Sequence, residues 1–238
     1  MKNKIPLLIT TCIEVSAIAE KITDPQERLR LTLEGIAEWL TNPAVESLVV
    51  VEGSDYDFSA KVSALSRDSG KQVEFLRFRN DAERVRKQGK GYGEGESVHY
   101  ALTRSRLLGA SEYFAKCTGK LYVRNYARCL AAFDNEFQCA VNGKHEIESL
   151  DLRLYFAGRE FWLKHMADAH GKVDDPAGYF LEYAYLDRLR EVGLRGFTLT
   201  VPPIVTGRSG SDNILYQPPS LYKYLSRRIR YSIFRRIY

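Results

Sequence analysis

Residues 45–55 read Val-Glu-Ser-Leu-Val-Val-Val-Glu-Gly-Ser-Asp. The β-branched run predicts a buried strand over Val45–Val51, and Glu52-Gly53-Ser54-Asp55 closes it with turn chemistry. Upstream, Asp24-Pro25-Gln26-Glu27 supplies an acidic cap, a proline for the first turn and a glutamate three residues on. Leu29, Leu33, Ile36, Ala37 and Leu40 then fall at helical spacing, and Asn42-Pro43 stops the helix. Further back, Ile5–Ile13 reads as a first buried strand. Downstream, Phe58, Val62 and Leu65 mark a short helix and Val73–Phe78 a third strand. A polar segment, Asn80–Lys87, leads through a glycine cluster to a helix over Glu96–Leu108 and a fourth strand over Glu112–Thr118. This β-α-β-α-β order predicts an α/β, Rossmann-like fold with a mainly parallel sheet covered by helices on both faces.

The second half is less regular. Leu150–Phe156 reads as a strand, Arg159–Ala169 as a helix, Asp174-Asp175-Pro176 as the cap of a helix running to Val192, and Phe197–Val201 as a late strand. Prolines and glycines make 202–219 an irregular loop. The division expected is one domain over 1–219 and a tail over 220–238.

The chain has 238 residues, 45% apolar and 27% charged, an ordinary globular composition. A single domain of this size buries roughly 70–75% of its unfolded surface and needs no disulfide or metal staple. Nothing approaches the ~20 apolar residues of a bilayer span. The first apolar run ends at Glu14 without a small-residue cleavage site, so a cytoplasmic chain, soluble or peripheral, is expected rather than a secreted one. Cys12, Cys117, Cys129 and Cys139 form no C-x-x-C pair and read as reduced core thiols. The four histidines show no metal-binding spacing, so no structural metal is expected. The formal charge of +5 sits in the tail, where Lys223, Arg227, Arg228, Arg230, Arg235 and Arg236 meet no acidic residue, leaving −1 for residues 1–219. A nucleic-acid-binding body would carry its basic face within the domain, so the charge distribution argues against a body of that class and no nucleic-acid partner is expected.

In an open parallel sheet, ligands bind outside the carboxyl ends of the strands. Three strand ends here carry small or polar residues: Thr10-Thr11, then Glu52-Gly53-Ser54-Asp55, then Lys116-Cys117-Thr118-Gly119-Lys120. Hydroxyls, a glycine turn, a carboxylate and two lysines suit a nucleotide with its phosphates, although such residues are also common in ordinary turns. Lys87-Gln-Gly89-Lys90-Gly91-Tyr92-Gly93-Glu94-Gly95-Glu96 matches neither a P-loop nor the dinucleotide fingerprint. Its glycines and lysines read as a loop facing a phosphate or sugar, ahead of a helix N-terminus. Glu182 lies among aromatic residues, where a raised pKa suits a general base, with Asp175 in reserve; a helix cap is the plainer reading of Asp174 and Asp175. Gly207-Arg208-Ser209-Gly210-Ser211 is a polar loop able to close over phosphates, or simply a linker.

Together these segments resemble bacterial nucleotide-sugar glycosyltransferases of GT-A type, those of capsule and O-antigen polysaccharide assembly above all. The resemblance rests on the order of Leu-Leu-Ile-Thr-Thr-Cys-Ile at 7–13, Val-Val-Val-Glu-Gly-Ser-Asp-Tyr-Asp at 49–57, Gly-Lys-Gly-Tyr-Gly-Glu at 89–94, Tyr-Phe-Ala-Lys-Cys-Thr-Gly-Lys at 113–120, Tyr179-Phe-Leu-Glu182 and Gly207-Arg-Ser-Gly-Ser. It implies a GT-A-like fold and transfer of a sugar from a nucleoside diphosphate donor, UDP with galactose as a guess, to a growing, lipid-linked surface glycan. Donor contacts would come from Thr10, Thr11, Glu52, Gly53 and Asp55, and from Lys90, Gly91, Gly93 and Glu94. Lys116, Thr118, Gly119, Lys120, Arg208 and Ser209 would complete them. GT-A enzymes commonly hold a divalent metal on Asp-x-Asp after the fourth strand. Here that place reads Lys116-Cys117-Thr118, and the letters recur only at Asp55-Tyr56-Asp57, so a metal cofactor is not assigned. A Rossmann-like methyltransferase is one rival, but it would want a glycine turn where Thr-Thr-Cys-Ile-Glu stands. A non-catalytic membrane- or RNA-binding module would leave the glycine segment idle.

In the tail, Leu221, Leu225, Ile229, Ile233 and Ile237 recur every four residues and gather into one apolar stripe of a helix starting at Ser220. Flanking tyrosines and six cations suit an anionic membrane surface, which would hold the protein peripherally on the inner face of the cell membrane; the rival reading is a C-terminal helix packed on the domain with its arginines in water.

Overall fold

A computed structural model of the chain describes residues 5–16 and 20–238. The strands are β1 (Leu7–Thr11), β2 (Ser47–Glu52), β3 (Gln72–Arg77), β4 (Tyr113–Thr118), β5 (Leu121–Val123), β6 (Phe137–Asn142), β7 (Ser149–Gly158), β8 (Val205–Arg208) and β9 (Leu215–Tyr216). The helices are α1 (Pro25–Thr41), α2 (Ser59–Ser66), α3 (Ala82–Gln88), α4 (Lys90–Arg104), α5 (Arg106–Gly109), α6 (Tyr126–Ala132), α7 (Arg159–Phe161), α8 (Leu181–Glu191) and α9 (Leu221–Ile237).

Six strands form one sheet in the order β3-β2-β1-β4-β7-β6. The first four are parallel, while β7 runs antiparallel to both β4 and β6. A mainly parallel α/β sheet flanked by helices is therefore what the alternation of buried strands and helices predicted. One face carries a core of Ile9, Ile36, Trp39, Val50 and Phe156, to which α1, α2 and α6 contribute; the other packs Leu8, Val98, Phe137, Leu186 and Tyr231. Asp24 caps α1 by accepting from Gln26 N at 3.3 Å and Glu27 N at 3.2 Å, and Pro25 opens its first turn.

Several expectations are corrected. The glycine segment is no loop, because α4 begins at Lys90 and Gly91, Gly93 and Gly95 lie in its first turns. Glycine is there for packing. A Cβ on Gly95 would lie 2.2 Å from His170 Cβ, and one on Gly93 would lie 2.8 Å from Asn80 Nδ2. The polar segment before it is helical too, as α3, capped by Asp81 at Arg84 N (3.0 Å). The helix expected over 159–169 is short α7 followed by a π-helical turn over Trp162–Met166. The one expected from Asp174 is broken by Gly178, whose φ of 79° ends a turn before α8 starts at Leu181. Phe197–Val201 joins the sheet only through a bridge from Thr198 to Cys139. The irregular stretch 202–219 holds β8 and β9, which pair antiparallel with each other and, through β8, with β5. Sequence reading passed over β6 altogether. Its register with β7 jumps between Cys139↔Tyr155 and Ala140↔Asp151, so residues 152–154 bulge from the ladder.

The tail is a helix from Ser220, as its spacing predicts, and it is bound to the body. Tyr224, Tyr231 and Phe234 are buried, the last two in the core, and Arg235 grips Asp134 at 2.6 and 2.7 Å. The stripe of Leu221, Leu225, Ile229, Ile233 and Ile237 faces outward, with Ile229 64% exposed.

Replacing Gly95 with alanine sets a helix-propensity gain of about 1 kcal/mol against overpacking on His170 costing about 1–3 kcal/mol. At 2.2 Å the clash should win. Thermal unfolding should show Gly95→Ala melting several degrees lower; a melting temperature at or above the parent's would contradict this packing.

Candidate active site

At the carboxyl end of β2 the Glu52 side chain is fully buried, and protein donors occupy it. It accepts from Thr11 Oγ1 at 2.6 Å, Ile13 N at 3.1 Å and Ser54 N at 2.9 Å, and from the Ser54 hydroxyl. Glu52 thus ties the loop after β1 to the turn after β2. Gly53 donates to Thr11 O at 2.9 Å, and a Cβ there would meet Asn80 Nδ2 at 2.6 Å. Asp55 holds a left-handed backbone (φ 64°), and its carboxylate pairs with Arg77 Nε at 3.0 Å. These residues build the rim of the site, and the Thr10 hydroxyl stands buried beside them with no partner among the described residues.

The centre of the edge is Lys116. A lysine alternating with apolar residues in a buried strand points its ammonium into the core, where it must find acceptors. Its Nζ meets the Glu94 carboxylate of α4, the Thr118 hydroxyl at 3.0 Å and the Leu152 carbonyl at 3.2 Å, the last freed by the bulge in β7. Burial pushes the ammonium down to about 8, against the opposing pull of Cys117, Glu182 and Asp151.

One turn further, Lys120 adopts φ 69° after Gly119, where a Cβ would lie 2.6 Å from Thr10 O. Lys120 is also buried, and it too is pushed down to about 8 by burial and by the nearby Arg28 guanidinium. Arg28 reaches inward from α1 to Cys12 O at 2.9 Å, Ile22 O at 2.8 Å and Glu20 at 2.9 Å. Glu20 also accepts from Ser211 Oγ at 2.8 Å. The 207–211 loop therefore borders this cluster through Gly210 and Ser211. Arg208 and Ser209 turn inward on the loop itself, Arg208 to Asn213 at 3.0 Å and Ser209 Oγ to Asp212 N at 3.2 Å. Arg28 and Lys120, with Lys90 at the margin, set three cations against the Glu20 and Glu52 carboxylates, an excess of positive charge suited to a diphosphate.

Lys90 links the two clusters. It is spaced four residues from Glu94 on α4, and it stands 3.9 Å from Glu20. Its charge also bears on Asp175 and Glu182. Asp175 accepts from Gly91 N at 3.2 Å, so the N-terminus of α4, read from sequence as open to phosphate, is capped by a protein carboxylate. Glu182, in the first turn of α8, has a pKa raised by burial and eased by Lys90 and Lys116. A raised carboxylate beside two lysines has the properties of a general base.

A divalent cation wants several hard oxygen ligands. At the end of β4 stands an ammonium already holding Glu94, beside a buried Cys117 thiol pushed up to about 12. Asp55 and Asp57 are taken by Arg77 and Arg79. Among the described residues no three His, Cys, Asp or Glu side chains gather for a cation. The donor set does not fit a resident metal.

Arg28, Glu20, Asp151 and Arg153 were missed in sequence. Arg28 had a readable signal, since it shares the buried face of α1 with Thr32, Gly35 and Trp39. Asp151-x-Arg153 looks like the wet side of an alternating strand, whereas the pair bonds internally (Arg153 Nε to Asp151 at 2.7 Å) at the edge of the bulge.

No family model matches the sequence, and no curated protein matches it. Solved structures do resemble its fold. The galactosyltransferase LgtC, crystallised with donor and acceptor sugar analogues, aligns with a TM-score of 0.53 at 10% identity, over 82% of this chain and 72% of LgtC. The inositol-1-phosphate CTP transferase of T. maritima gives 0.53 at 10% identity, over 94% and 96%. The glycosyltransferase GlyE of Streptococcus pneumoniae TIGR4 gives 0.52 at 8% identity, over 79% and 43%. At such identities the likeness is one of fold: the chain has the GT-A-like, Rossmann-related sheet found in sugar-transferring and nucleotidyl-transferring enzymes.

Proposed function

We propose that the chain is a glycosyltransferase acting on a nucleoside diphosphate sugar, UDP being the first carrier to try. The observation that carries this is the row of cations along the carboxyl edge of the sheet: the buried Arg28, Lys120 and Lys116 and the exposed Lys90, with Glu182 beside them. Ligands of open α/β sheets bind at this edge. Glu182 takes the proton of an acceptor hydroxyl whose oxygen attacks the anomeric carbon. The bond from that carbon to the β-phosphate oxygen breaks, and the nucleoside diphosphate leaves with the electron pair. The buried Lys120 meets its growing charge, as a preorganised cation does in a dry site, and Lys90 adds its charge from the solvent side. Asp175, engaged as the cap of α4, is the reserve base.

A second reading, nucleotidyl transfer to a sugar phosphate, is favoured by the near-complete mutual coverage with the CTP transferase. The products separate the two: a nucleoside diphosphate from the first, pyrophosphate from the second.

The acceptor we propose is lipid-linked, as in bacterial surface-glycan assembly, with the enzyme peripheral on an anionic inner membrane surface. No described helix is long and apolar enough to cross a membrane. Support comes from the outward stripe of α9, with Arg228 and Arg236 interleaved among Leu225, Ile229 and Ile233. Arg230 and Arg235 are turned to the body and Arg227 faces the β6–β7 hairpin, so Lys223, Arg228 and Arg236 remain of the six, contributing on the order of 3 kcal/mol at an anionic surface.

Three outcomes follow. Glu182→Gln should bind donor normally yet release nucleoside diphosphate at least ~10²-fold more slowly, the lower end for loss of a general base. Near-normal turnover would move that role to another group. Turnover should survive EDTA and fall as pH rises through about 8, where Lys116 and Lys120 lose their protons, while an acid limb above the ordinary carboxylate range should vanish in Glu182→Gln. Activity lost in EDTA and restored by Mn²⁺ would contradict the metal-independent site. The full chain should sediment with phosphatidylserine vesicles, less so in high salt, and Ile229→Glu with Ile233→Glu should abolish it. Unchanged sedimentation of that variant would remove the membrane from the account. Deleting 220–238 is the poorer test, since it takes Tyr231 and Phe234 out of the core.

A further inference from the structure

A cleft of about 500 Å³ opens between the β6–β7 hairpin and α9, lined among others by Lys144, Glu148, Asp151, Arg153, Arg227 and Arg230. It adjoins the transfer centre. Leu152, between two of its wall residues, gives its carbonyl to Lys116 Nζ at 3.2 Å, and the Asp151 charge bears on both Lys116 and Glu182. Its walls hold four cations against two carboxylates, and one carboxylate is spent, because Asp151 is clamped by Arg153. Arg153 is itself stacked on the Tyr216 ring with 4.6 Å to the centroid. Among the described residues, Arg153 alone of the four cations is paired with a carboxylate. Arg230 is anchored by Gly143 O at 2.9 Å, and its Nε is buried with no acceptor. Arg227, one turn of α9 earlier, is exposed.

Two arginines fixed on one helix and turned into a cleft beside the transfer centre form a fork for an oxyanion. We infer that this cleft receives the acceptor, and that the acceptor carries a phosphate or carboxylate held by Arg227 and Arg230. The inference rests on the transferase reading for the word acceptor and on the cleft alone for the anion. It also accounts for the docking of α9: the helix is a wall of the site, which its buried Tyr231 and Phe234 hold in place.

The test is calorimetric binding of glucose, glucose 1-phosphate and glucuronic acid to the full chain at constant ionic strength with EDTA. At least one charged sugar should bind about tenfold or more tighter than glucose, as charge-assisted hydrogen bonds allow. Preference for glucose 1-phosphate marks a phosphate-bearing acceptor, and preference for glucuronic acid a carboxylate-bearing one. Arg227→Gln, a surface change that leaves the core intact, should erase the preference, and Lys120→Ala in the donor cluster should keep it. Equal binding of charged and neutral sugars would overturn the inference, as would a preference that survives Arg227→Gln or disappears in Lys120→Ala. Nucleotide-sugar turnover is read separately, so a protein that binds the anion in the cleft and turns over no donor would refute the transferase reading and leave the cleft's chemistry standing.

Discussion

A fully buried ammonium stands at the middle of the sheet, and much of the active edge is arranged to keep it charged. Lys116 has no exposure to water, and an unpaired charge there would cost several kcal/mol. Its three partners come from three places: Glu94 on α4, Thr118 on its own strand, and the Leu152 carbonyl from the bulge of β7. One ion thus fixes a helix against the parallel half of the sheet and shapes the antiparallel half. Removing either charged partner leaves the other stranded, which makes the pair a specifier of geometry more than a source of net stability.

The close approach of α4 depends on its glycines. Gly91 and Gly95 lie one turn apart and admit the 173–181 segment and His170, and Gly93 on the opposite side admits Asn80 and Val85. With both flanks pressed in, the remaining face carries Lys90 and Glu94 to the strand ends. The alternating glycines therefore serve the site by packing, and their effect on chemistry is carried by two charged side chains between them. On the far side, α9 extends the same logic: its buried rings seat it on the core, its inward arginines line a cleft, and its outward isoleucines stay free.

The parallel half of the fold was legible because β1 and β2 are buried on both faces and so read as apolar runs, with caps such as Asp24-Pro25 marking the helix between. Where the signal failed, tertiary contact had overridden local pattern. Glycines at 91, 93 and 95 argue for a loop until it is known that His170 and Asn80 occupy the space of the missing side chains. Gly178 breaks the helix that the Asp174-Asp175 cap signals. The candidate site was legible in part, since Lys116 stands out as a cation in an apolar strand and Glu182 as a carboxylate among aromatics. Glu52 was visible too, though its oxygens serve the backbone of two loops, a use no spacing rule distinguishes from ligand binding. Arg28 and the Asp151–Arg153 pair were hidden because helix and strand periodicity mark which face a residue occupies, and only the fold tells what that face meets.

The central claim is that cations from the protein, with no metal, hold a nucleoside diphosphate at the carboxyl ends of β1 and β4. Its most direct measurement is a thermal-shift titration of the full chain in EDTA with UDP-, GDP- and CMP-sugars and with S-adenosylmethionine. One of the nucleotide sugars should raise the melting temperature in a saturable way, and Lys120→Ala should weaken that response. Stabilisation by S-adenosylmethionine alone, or by a nucleotide sugar only after Mn²⁺ is added, would contradict the account.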